Sequence, residues 1–302
     1  MKTGQGIIRR IFGAYYDVLP LPDLDPPLRG RLRGRLRLER GGRGGYQDAP
    51  RQRHLLMVGD RVNFRYEKDT DVVIEGFEDR RNAVQRAMRH EVHALGSNLD
   101  RALAVISLSQ PGPRWGFLDR FLTSCESGGV PAGIVFSKAD LVEPENEADY
   151  ERMVDLYQKL GYETYLVDLG TKQPAAEVER LREFVAEGAT LFCGQSGTGK
   201  STLLNLLLGE DQQKTGSISE STGKGRHTTT NSSLFVHPDG NSMFIDTPGV
   251  KEWGVQHLDR TELLESLPEI AQRATQCRFH DCMHTPGSQG CAVQELLQKS
   301  VD

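Results

Sequence analysis

The first 90 residues carry little helical periodicity and contain several short runs with the apolar pattern of β-strands. We predict strands over 7–11, 29–38, 54–58, 61–66 and 72–74. Turn-forming residues separate these runs, at 20–27, at 41–45 and at Gly59-Asp60. Many short strands joined by Gly- and Pro-rich turns are typical of a small β-barrel, and we predict that fold here.

From about residue 95, apolar strand runs alternate with helical runs. The predicted strands are 103–108, 133–136, 164–167, 190–193, 234–237 and 242–245, and the predicted helices are 118–127, 145–160, 175–187 and 200–208. This alternation predicts a mostly parallel sheet flanked by helices. The last two strands are joined by Pro238-Asp239-Gly240-Asn241 and should form an antiparallel hairpin at one sheet edge. Beyond residue 257 a helical pattern leads into a group of Cys and His residues.

Length and composition limit the class of protein. At 302 residues and 33.6 kDa the chain exceeds one compact core, so two or three domains are expected. A mean hydropathy of −0.49 is that of a soluble globular chain, and no run approaches the ~18 apolar residues of a membrane span. Arg9 and Arg10 interrupt the first apolar run, which argues against a signal peptide. Five cysteines, three of them within 277–291, suit a metal site in a reducing cytoplasm better than a disulfide framework.

Charge is distributed unevenly along the chain. Residues 1–90 contain 19 Lys and Arg and 12 Asp and Glu, a net +7, whereas residues 91–302 contain 18 and 30, a net −12. Within residues 29–37, every second residue is an arginine. On a single strand these arginines would share one face, and nucleic-acid phosphates are their expected counterions. A basic surface without a partner, or a disordered basic loop, is the alternative. These arginines, the predicted RNA contacts, are Arg29, Arg31, Arg33, Arg35 and Arg37.

Residues 194–201 carry the strongest chemical signal, a complete match to the P-loop motif G-x-x-x-x-G-K-[ST]. They lie between a predicted strand and a predicted helix, and we call them the P-loop. The glycines let backbone N–H groups wrap around phosphates at the start of the helix. Lys200 would neutralise the β- and γ-phosphates, and the Ser201 hydroxyl would ligate Mg²⁺. The predicted nucleotide contacts in this loop are Gly194, Gln195, Ser196, Gly197, Thr198, Gly199, Lys200, Ser201 and Thr202.

A second motif, the D-T-P-G of residues 246–249, ends an apolar strand. Asp246 would hold the magnesium through water, and the Gly249 N–H would meet the γ-phosphate; an ordinary surface turn is the alternative. Many small GTPases have a water-orienting glutamine at the next position, but here it is Val250, so another group must position the water. His227, in the polar segment 225–230, is a candidate for that role, and a threonine of the segment would complete the magnesium shell. A solvated histidine without a catalytic role is the other interpretation.

A third motif predicts specificity for a guanine base, with a chance K-x-D match as the alternative. Ser137-Lys138-Ala139-Asp140 follows a predicted strand and approximates N/T-K-x-D, in which Asp140 accepts hydrogen bonds from guanine N1–H and the exocyclic amine. Adenine lacks this pair of donors, so the carboxylate selects GTP over ATP. The motif comes 54 residues before the P-loop (Asp140 to Gly194), whereas ordinary GTPases have the reverse order. The order therefore predicts a circularly permuted G domain.

The C-terminal cysteines and a histidine have the spacing Cys277-x4-Cys282-x-His284-x6-Cys291. Three thiolates and one imidazole form a closed tetrahedral set, typical of a structural zinc site. His280 lies within the same loop and could be an alternative ligand, and free reduced cysteines are the other possibility. We predict one structural Zn²⁺, held by Cys277, Cys282, His284 and Cys291.

Together these motifs resemble the ribosome small-subunit-dependent GTPase A family (RsgA, also called YjeQ). The resemblance includes the segment 57–62 (MVGDRV) and residues 225–230, in addition to the permuted motifs and the Cys/His cluster. It implies an OB-fold RNA-binding barrel over 1–81, a permuted GTPase domain over 82–256 and a helical zinc-binding domain over 257–302. It also implies a cytoplasmic factor that binds the 30S subunit and 16S rRNA late in assembly, with GTP hydrolysis stimulated by that subunit. In this family the histidine that matches His227 is implicated in hydrolysis.

Three departures from the family pattern qualify these expectations. Ser137 replaces the usual Asn or Thr, which is expected to loosen the guanine pocket. The segment 167–170 lies where the family has a serine-containing loop, and we assign no nucleotide contacts to it. The spacing between His284 and Cys291 is one residue longer than usual.

The expected function is hydrolysis of GTP to GDP and phosphate with Mg²⁺, by a monomer without a membrane partner. A metabolic P-loop kinase or ATPase is a rival that has no use for Asp140. An RNA-binding scaffold that senses nucleotide with little turnover is a second rival, which Val250 permits.

Overall fold

The computed structural model describes residues 2–34, 36, 51–52, 55–88, 91–170, 176–209, 232–250 and 252–299. Its N-terminal part is a closed five-stranded barrel in the order β1-β2-β3-β6-β5. Alternating side chains of these strands fill the interior, among them Ile8, Val18, Phe64 and Ile74, each no more than 2% exposed. The barrel strands are β1 (Thr3–Phe12), β2 (Tyr15–Pro20), β3 (Leu28–Leu32), β5 (Arg61–Tyr66) and β6 (Asp71–Phe77).

A small sheet follows the barrel in the order β4-β8-β7, from β4 (Arg51–Gln52), β7 (Ala83–Met88) and β8 (Glu91–Ser97). The turn before β5 ties the barrel to this sheet. Gly59 has φ +93, and a Cβ there would lie 2.3 Å from the Ser97 carbonyl oxygen, so only glycine fits. The buried Asp60 carboxylate accepts hydrogen bonds from the Arg80 guanidinium at 2.8 Å and from the Ser97 hydroxyl at 2.6 Å.

The central part is a six-stranded sheet in the order β11-β10-β9-β12-β14-β13, parallel except for the edge strand β13. Helices cover both faces, which explains why its strands are apolar throughout rather than alternating. The strands are β9 (Arg101–Ser107), β10 (Ala132–Ser137), β11 (Glu163–Val167), β12 (Gly188–Gly194), β13 (Ser233–Val236) and β14 (Ser242–Asp246). The helices are α1 (Trp115–Ser127), α2 (Pro144–Lys159), α3 (Ala176–Phe184) and α4 (Lys200–Leu208), with a 3-10 helix over Ala139–Leu141.

Three short helices form the C-terminal part: α5 (Arg260–Glu265), α6 (Pro268–Ala274) and α7 (Ala292–Lys299). A capping box starts α5, because Asp259 accepts from the Glu262 N–H while the Glu262 carboxylate accepts from the Asp259 N–H. The loop between α6 and α7 carries the Cys/His cluster. Within the described ranges no helix is both long and apolar enough to cross a membrane.

The barrel, the parallel sheet and its edge hairpin confirm the predicted architecture, but two predicted strands are wrong. The strand expected over 29–38 ends at Leu32, and Gly34 and Leu36 have helical geometry, because the pairing with β6 ends at Ile74. Arg29 and Arg31 therefore lie on β3 and Arg33 follows it, whereas Arg35 and Arg37 lie outside the described residues. The run expected over 54–58 ends in the bend and turn that precede β5, whereas β2, β7 and β8 were not predicted.

Candidate functional site

The three sequence motifs meet at one edge of the parallel sheet. Strands β10, β12 and β14 run in the same direction, so their carboxyl ends lie together, and a motif follows each strand. The base-specificity motif continues β10, the P-loop continues β12 and D-T-P-G continues β14. In open α/β sheets this edge is where ligands bind.

The P-loop has the backbone that its glycines predict. Gly197 and Gly199 have φ of +85 and +83, a region that other residues seldom adopt. The Thr198 hydroxyl donates to the Gln195 carbonyl at 3.0 Å, which fixes the turn. Helix α4 begins at Lys200, so its first N–H groups and the positive end of its dipole face the loop. The loop can hold phosphates.

Lys200 and Asp246 form a buried ion pair at the centre of this edge, with 7% and 5% of their side chains exposed. Burial raises the pKa of the Asp246 carboxyl above its ordinary value, and the Lys200 charge opposes that shift. The two motifs also touch through the backbone. A Cβ at Gly249 would lie 3.1 Å from the Ser196 nitrogen, and the Val250 N–H donates to the Gly194 carbonyl at 3.2 Å. D-T-P-G therefore lies directly against the P-loop.

A buried cysteine under the loop contributes no charge to this site. Burial raises the pKa of the Cys193 thiol to about 12, so it stays protonated near neutral pH. The Thr247 hydroxyl donates to the Phe192 carbonyl at 3.0 Å and holds the start of D-T-P-G on β12. At the contact between the P-loop and D-T-P-G, the charged pair is therefore Lys200 and Asp246.

The base-specificity motif is joined to the P-loop by Ser137. Its buried hydroxyl donates to the Thr198 carbonyl at 2.6 Å, so serine makes a direct bridge between two motifs 61 residues apart. The Lys138 ammonium donates to the Gln110 carbonyl. Asp140 follows in the 3-10 helix, and its carboxylate is exposed and free to accept from a ligand.

Two neighbouring loops border this edge and were not assigned from the sequence. A Cβ at Gly170 would lie 3.5 Å from the Asp140 carboxylate, and a Cβ at Gly199 would lie 2.5 Å from Leu169. The loop after β9 also approaches, since a Cβ at Gly197 would lie 3.3 Å from Pro111. Topology was the available signal, because both loops follow strands of the same parallel sheet.

The chain after D-T-P-G is fixed within a few residues by an anchor, residues 252–254. Arg120 of α1 donates to the Trp253 carbonyl at 2.6 Å, and the Trp253 indole donates to the Ser124 hydroxyl at 2.9 Å. Ala87 of β7 exchanges two backbone hydrogen bonds with Gly254, at 2.8 and 3.1 Å. Just before the anchor, Val250 is 2% exposed, so its side chain offers nothing to a water molecule. His227 and the rest of 225–230 lie outside the described residues.

The four predicted ligands of the C-terminal loop converge. The Cys277, Cys282 and Cys291 sulfurs and a His284 ring nitrogen all lie within 4.8 Å of one another. His284 Nδ1 lies 3.7 Å from the Cys277 sulfur and 3.5 Å from the Cys291 sulfur. Gln294 supports the set, since its amide donates to the His284 carbonyl and its N–H to the Cys291 sulfur. The cluster could hold a metal ion and does not include His280.

The three described arginines of the basic run are exposed but already have partners. The Arg29 guanidinium lies 4.1 Å from the centre of the Tyr15 ring. Arg31 pairs with Glu67 at 2.8 Å, and Arg33 lies 3.7 Å from Glu75. Carboxylates of the barrel thus neutralise part of the charge that the sequence alone left for a nucleic acid.

Known proteins share both the sequence and the fold of this chain. Residues 77–256, more than half of the chain, match the family model RsgA GTPase. A Histophilus somni (strain 129Pt) protein named small ribosomal subunit biogenesis GTPase RsgA is 36% identical over 249 residues, which cover 81% of this chain and 69% of that protein. A protein of the same name from Hahella chejuensis is 35% identical over 244 residues, covering 80% and 68%.

Two solved structures have the same fold. YjeQ from Thermotoga maritima superposes with a TM-score of 0.71 at 23% identity, covering 99% of this chain and 93% of that one. YloQ, described as a circularly permuted GTPase, gives a TM-score of 0.65 at 24% identity, covering 99% and 90%. The permuted order of motifs along β10, β12 and β14 agrees with that description. By its sequence, this chain therefore belongs to the RsgA GTPase family.

Proposed function

We propose that this protein hydrolyses GTP to GDP and phosphate as a late assembly factor of the small ribosomal subunit, stimulated by the 30S particle. The observation that carries the proposal is the meeting of three motifs at one sheet edge, through the Ser137–Thr198 and Lys200–Asp246 contacts. Relatives that share most of their length with this chain bear the name of small ribosomal subunit biogenesis GTPases, which supports the choice of particle.

Each part of the site has a proposed role. The N–H groups of residues 194–202 would bind the phosphates, and Lys200 would neutralise the charge that develops on the γ-phosphate during transfer. Asp140 would select guanine, with Lys138 along the base plane and Ser137 and Ala139 in support. The Gly249 N–H would bind the γ-phosphate. His227 would position the attacking water, since the buried Val250 side chain leaves that role to another group.

Two metal ions are part of the proposal. Oxygen is the ligand atom that Mg²⁺ prefers; Ser201, which ends the P-loop, would supply one directly, and Asp246, paired with the adjacent Lys200, would hold the ion through water. Magnesium there would neutralise phosphate charge during transfer. The Cys277, Cys282, His284 and Cys291 donors fit Zn²⁺, since three thiolates and an imidazole leave no open position. That ion would fix the loop between α6 and α7, of which α6 has no buried residue.

The barrel would bind 16S rRNA through its exposed arginines, of which Arg29, Arg31 and Arg33 are described. Binding would exchange their contacts with Glu67 and Glu75 for contacts with phosphates. We retain the limits 1–81, 82–256 and 257–302 for the RNA-binding, GTPase and zinc-binding domains as proposals. A cytoplasmic monomer fits this role.

The test is phosphate release from GTP and from ATP, with and without purified 30S subunits. We expect the protein to hydrolyse GTP but not ATP, and the rate of GTP hydrolysis to increase strongly with 30S. Asp140→Asn should bind GTP much more weakly. Loss of a charge-assisted pair of hydrogen bonds costs ~1.5–3 kcal/mol for each bond, or at least tenfold in affinity. Asparagine keeps the size of the side chain, so this variant tests the charge and the pair of acceptors rather than the packing.

The same experiment decides against the rivals. Equal turnover of ATP, insensitive to Asp140→Asn, would identify a P-loop kinase or ATPase instead. Tight GTP binding with turnover unchanged by 30S would favour the nucleotide-sensing scaffold, which the buried Val250 makes a real competitor. A His227→Ala variant that binds GTP normally and hydrolyses it as fast as the wild type would remove that residue from the mechanism.

A further inference from the structure

An apolar groove of about 470 Å³ lies between α1, α2 and the start of α6. None of the residues that line it belongs to the nucleotide motifs or to the Cys/His cluster. Its lining joins the central sheet's helices to the C-terminal part, so it is a feature of the assembled chain rather than of one helix. The groove has no role in the function proposed above.

The floor of the groove is built by aromatic packing and by a partly buried hydrogen bond. The Trp115 ring stacks on Tyr157 with centres 6.1 Å apart and planes at 29°. The Tyr157 hydroxyl donates to the Asp119 carboxylate at 2.7 Å. Leu156 of α2 and Leu160, the C-cap residue four positions later, leave 45% and 37% of their surface exposed along the groove. The result is a fixed apolar surface with room for further apolar side chains.

The charge around this surface is acidic. Asp119 and Glu269 line the groove, and no Lys or Arg is among the described residues that do. Glu126 lies next to the groove, where its carboxylate accepts a hydrogen bond from the Tyr162 hydroxyl at 3.2 Å. Helix α2 itself has five Asp and Glu against one Lys and one Arg. A phosphate backbone would therefore meet mostly like charge here, and a positively charged partner would be attracted.

We propose that this groove binds a basic, amphipathic polypeptide segment of a protein of the small ribosomal subunit. Apolar side chains of that segment would pack on Trp115, Leu156 and Leu160, and its Lys and Arg would face Asp119 and Glu269. The inference rests on the proposed function, since it takes the partner from the particle named there. Proteins that bind RNA are rich in Lys and Arg. An acidic body can therefore contact an RNA-rich particle where a protein covers the RNA, while the basic barrel contacts the RNA itself.

The test compares two substitutions of opposite charge at one exposed position. Leu156→Arg and Leu156→Glu remove the same apolar contact, but only arginine repels a basic segment. Leu166, 41% exposed on β11 and outside the groove, takes the same two substitutions as the matched control. Affinity for purified 30S subunits is measured with a non-hydrolysable GTP analogue, and thermal melting confirms folding of all four variants.

We expect Leu156→Arg to weaken 30S binding about tenfold or more, as for a central contact of an interface, and Leu156→Glu to weaken it less. Both Leu166 variants should bind within about twofold of the wild type. Tighter binding by Leu156→Arg than by Leu156→Glu would mean an anionic occupant and overturn the proposal. Equal affinities of the two would remove the charge argument and overturn it as well.

A photoreactive benzoylphenylalanine at position 156 gives a second readout that does not depend on affinity. Cross-linking to a Lys- and Arg-rich peptide of a subunit protein, identified by mass spectrometry, supports the proposal. Cross-linking to rRNA or to a second copy of this chain overturns it. Failure of the wild type to bind 30S would refute the proposed function itself, whereas normal wild-type binding with an unaffected Leu156→Arg would refute only the groove.

Discussion

The hydrogen bond from Trp253 to Ser124 allows a quantitative test of the anchor that follows D-T-P-G. The indole N–H donates to the Ser124 hydroxyl at 2.9 Å, and the two residues are 3% and 2% exposed. Phe117 and Phe121 meet the indole edge-on, with centres 5.6 and 5.3 Å away. Water has no access to either partner, so breaking the bond leaves a polar group unsatisfied.

The magnitudes follow from that burial. Ser124→Ala strands the indole N–H without an acceptor, which should reduce the free energy of unfolding by ~1–3 kcal/mol. Trp253→Phe removes the donor and part of a ring that fills the space against Phe117 and Phe121, at a cost of about 1–3 kcal/mol. The double variant has no stranded donor. Its loss should therefore be smaller than the sum of the two single losses by ~1 kcal/mol or more.

The assay is urea unfolding followed by tryptophan fluorescence, to which Trp115, on the same helix as Ser124, contributes in all four proteins. Slopes must agree across the cycle before free energies are compared. Losses that add to within about 0.3 kcal/mol would refute the reasoning, since contacting residues that share a bond should couple. Ser124→Thr, which keeps the hydroxyl, should restore part of the stability lost in Ser124→Ala.

Three further predictions address the site, the metal cluster and the acid range. Ser137→Ala leaves the Thr198 carbonyl without its buried donor and should weaken GDP binding several-fold, a loss of ~1 kcal/mol of binding free energy. A fluorescence titration measures this affinity, and Ser137→Thr, which keeps the hydroxyl, serves as the control. Cys282→Ser should lose bound zinc by elemental analysis of the purified protein, whereas His280→Ala, outside the cluster, should keep one equivalent. Burial disfavours the Asp100 carboxylate, but a backbone N–H and an arginine overcome this and lower its pKa below the ordinary 3.8. The ionised Asp100 carboxylate stabilises the fold above the ordinary pKa of 3.8, and this stabilisation disappears as the pH falls through the lower native pKa. The difference in unfolding free energy between wild type and Asp100→Asn should therefore shrink below about pH 4. A difference that stays constant from pH 7 to pH 3 would contradict this assignment.

Much of the central sheet follows from the sequence, because its strands are continuous apolar runs and the motif after each one has a strict backbone requirement. The positive φ of Gly197 and Gly199 is an example, since few other residues could take those positions. The barrel was harder to predict. Its strands are half exposed, and the arginine alternation continues past Leu32 although the pairing with β6 ends there. Strand length there depends on pairing with β6, which is distant in sequence.

The site shows the same division. The identity of Asp140, Lys200 and Asp246 follows from local spacing, but the partners of Ser137 do not. Nothing near Ser137 in the sequence indicates that its hydroxyl reaches the Thr198 carbonyl, because that contact depends on how β10 and β12 lie on either side of β9. The closeness of Gly170 to the Asp140 carboxylate likewise follows from the parallel order of β10 and β11. Contacts between strand ends are properties of the topology.

The permuted order also determines where the sheet edge that carries the three motifs, the nucleotide edge, is connected to the rest of the chain. Gly249 contacts the P-loop, and Trp253 is fixed by α1 only four residues later, a span of at most ~14 Å of extended chain. Gly254 is paired with β7 directly afterwards, and α5 begins at Arg260. At the other end, Arg9 of the barrel donates to the Leu234 carbonyl of β13, which leads by its hairpin into D-T-P-G. The short span between Gly249 and Trp253 can absorb only a small displacement of Gly249. A larger displacement must therefore move the anchor or strain β14, and both are hydrogen-bonded to parts of the chain outside the nucleotide edge.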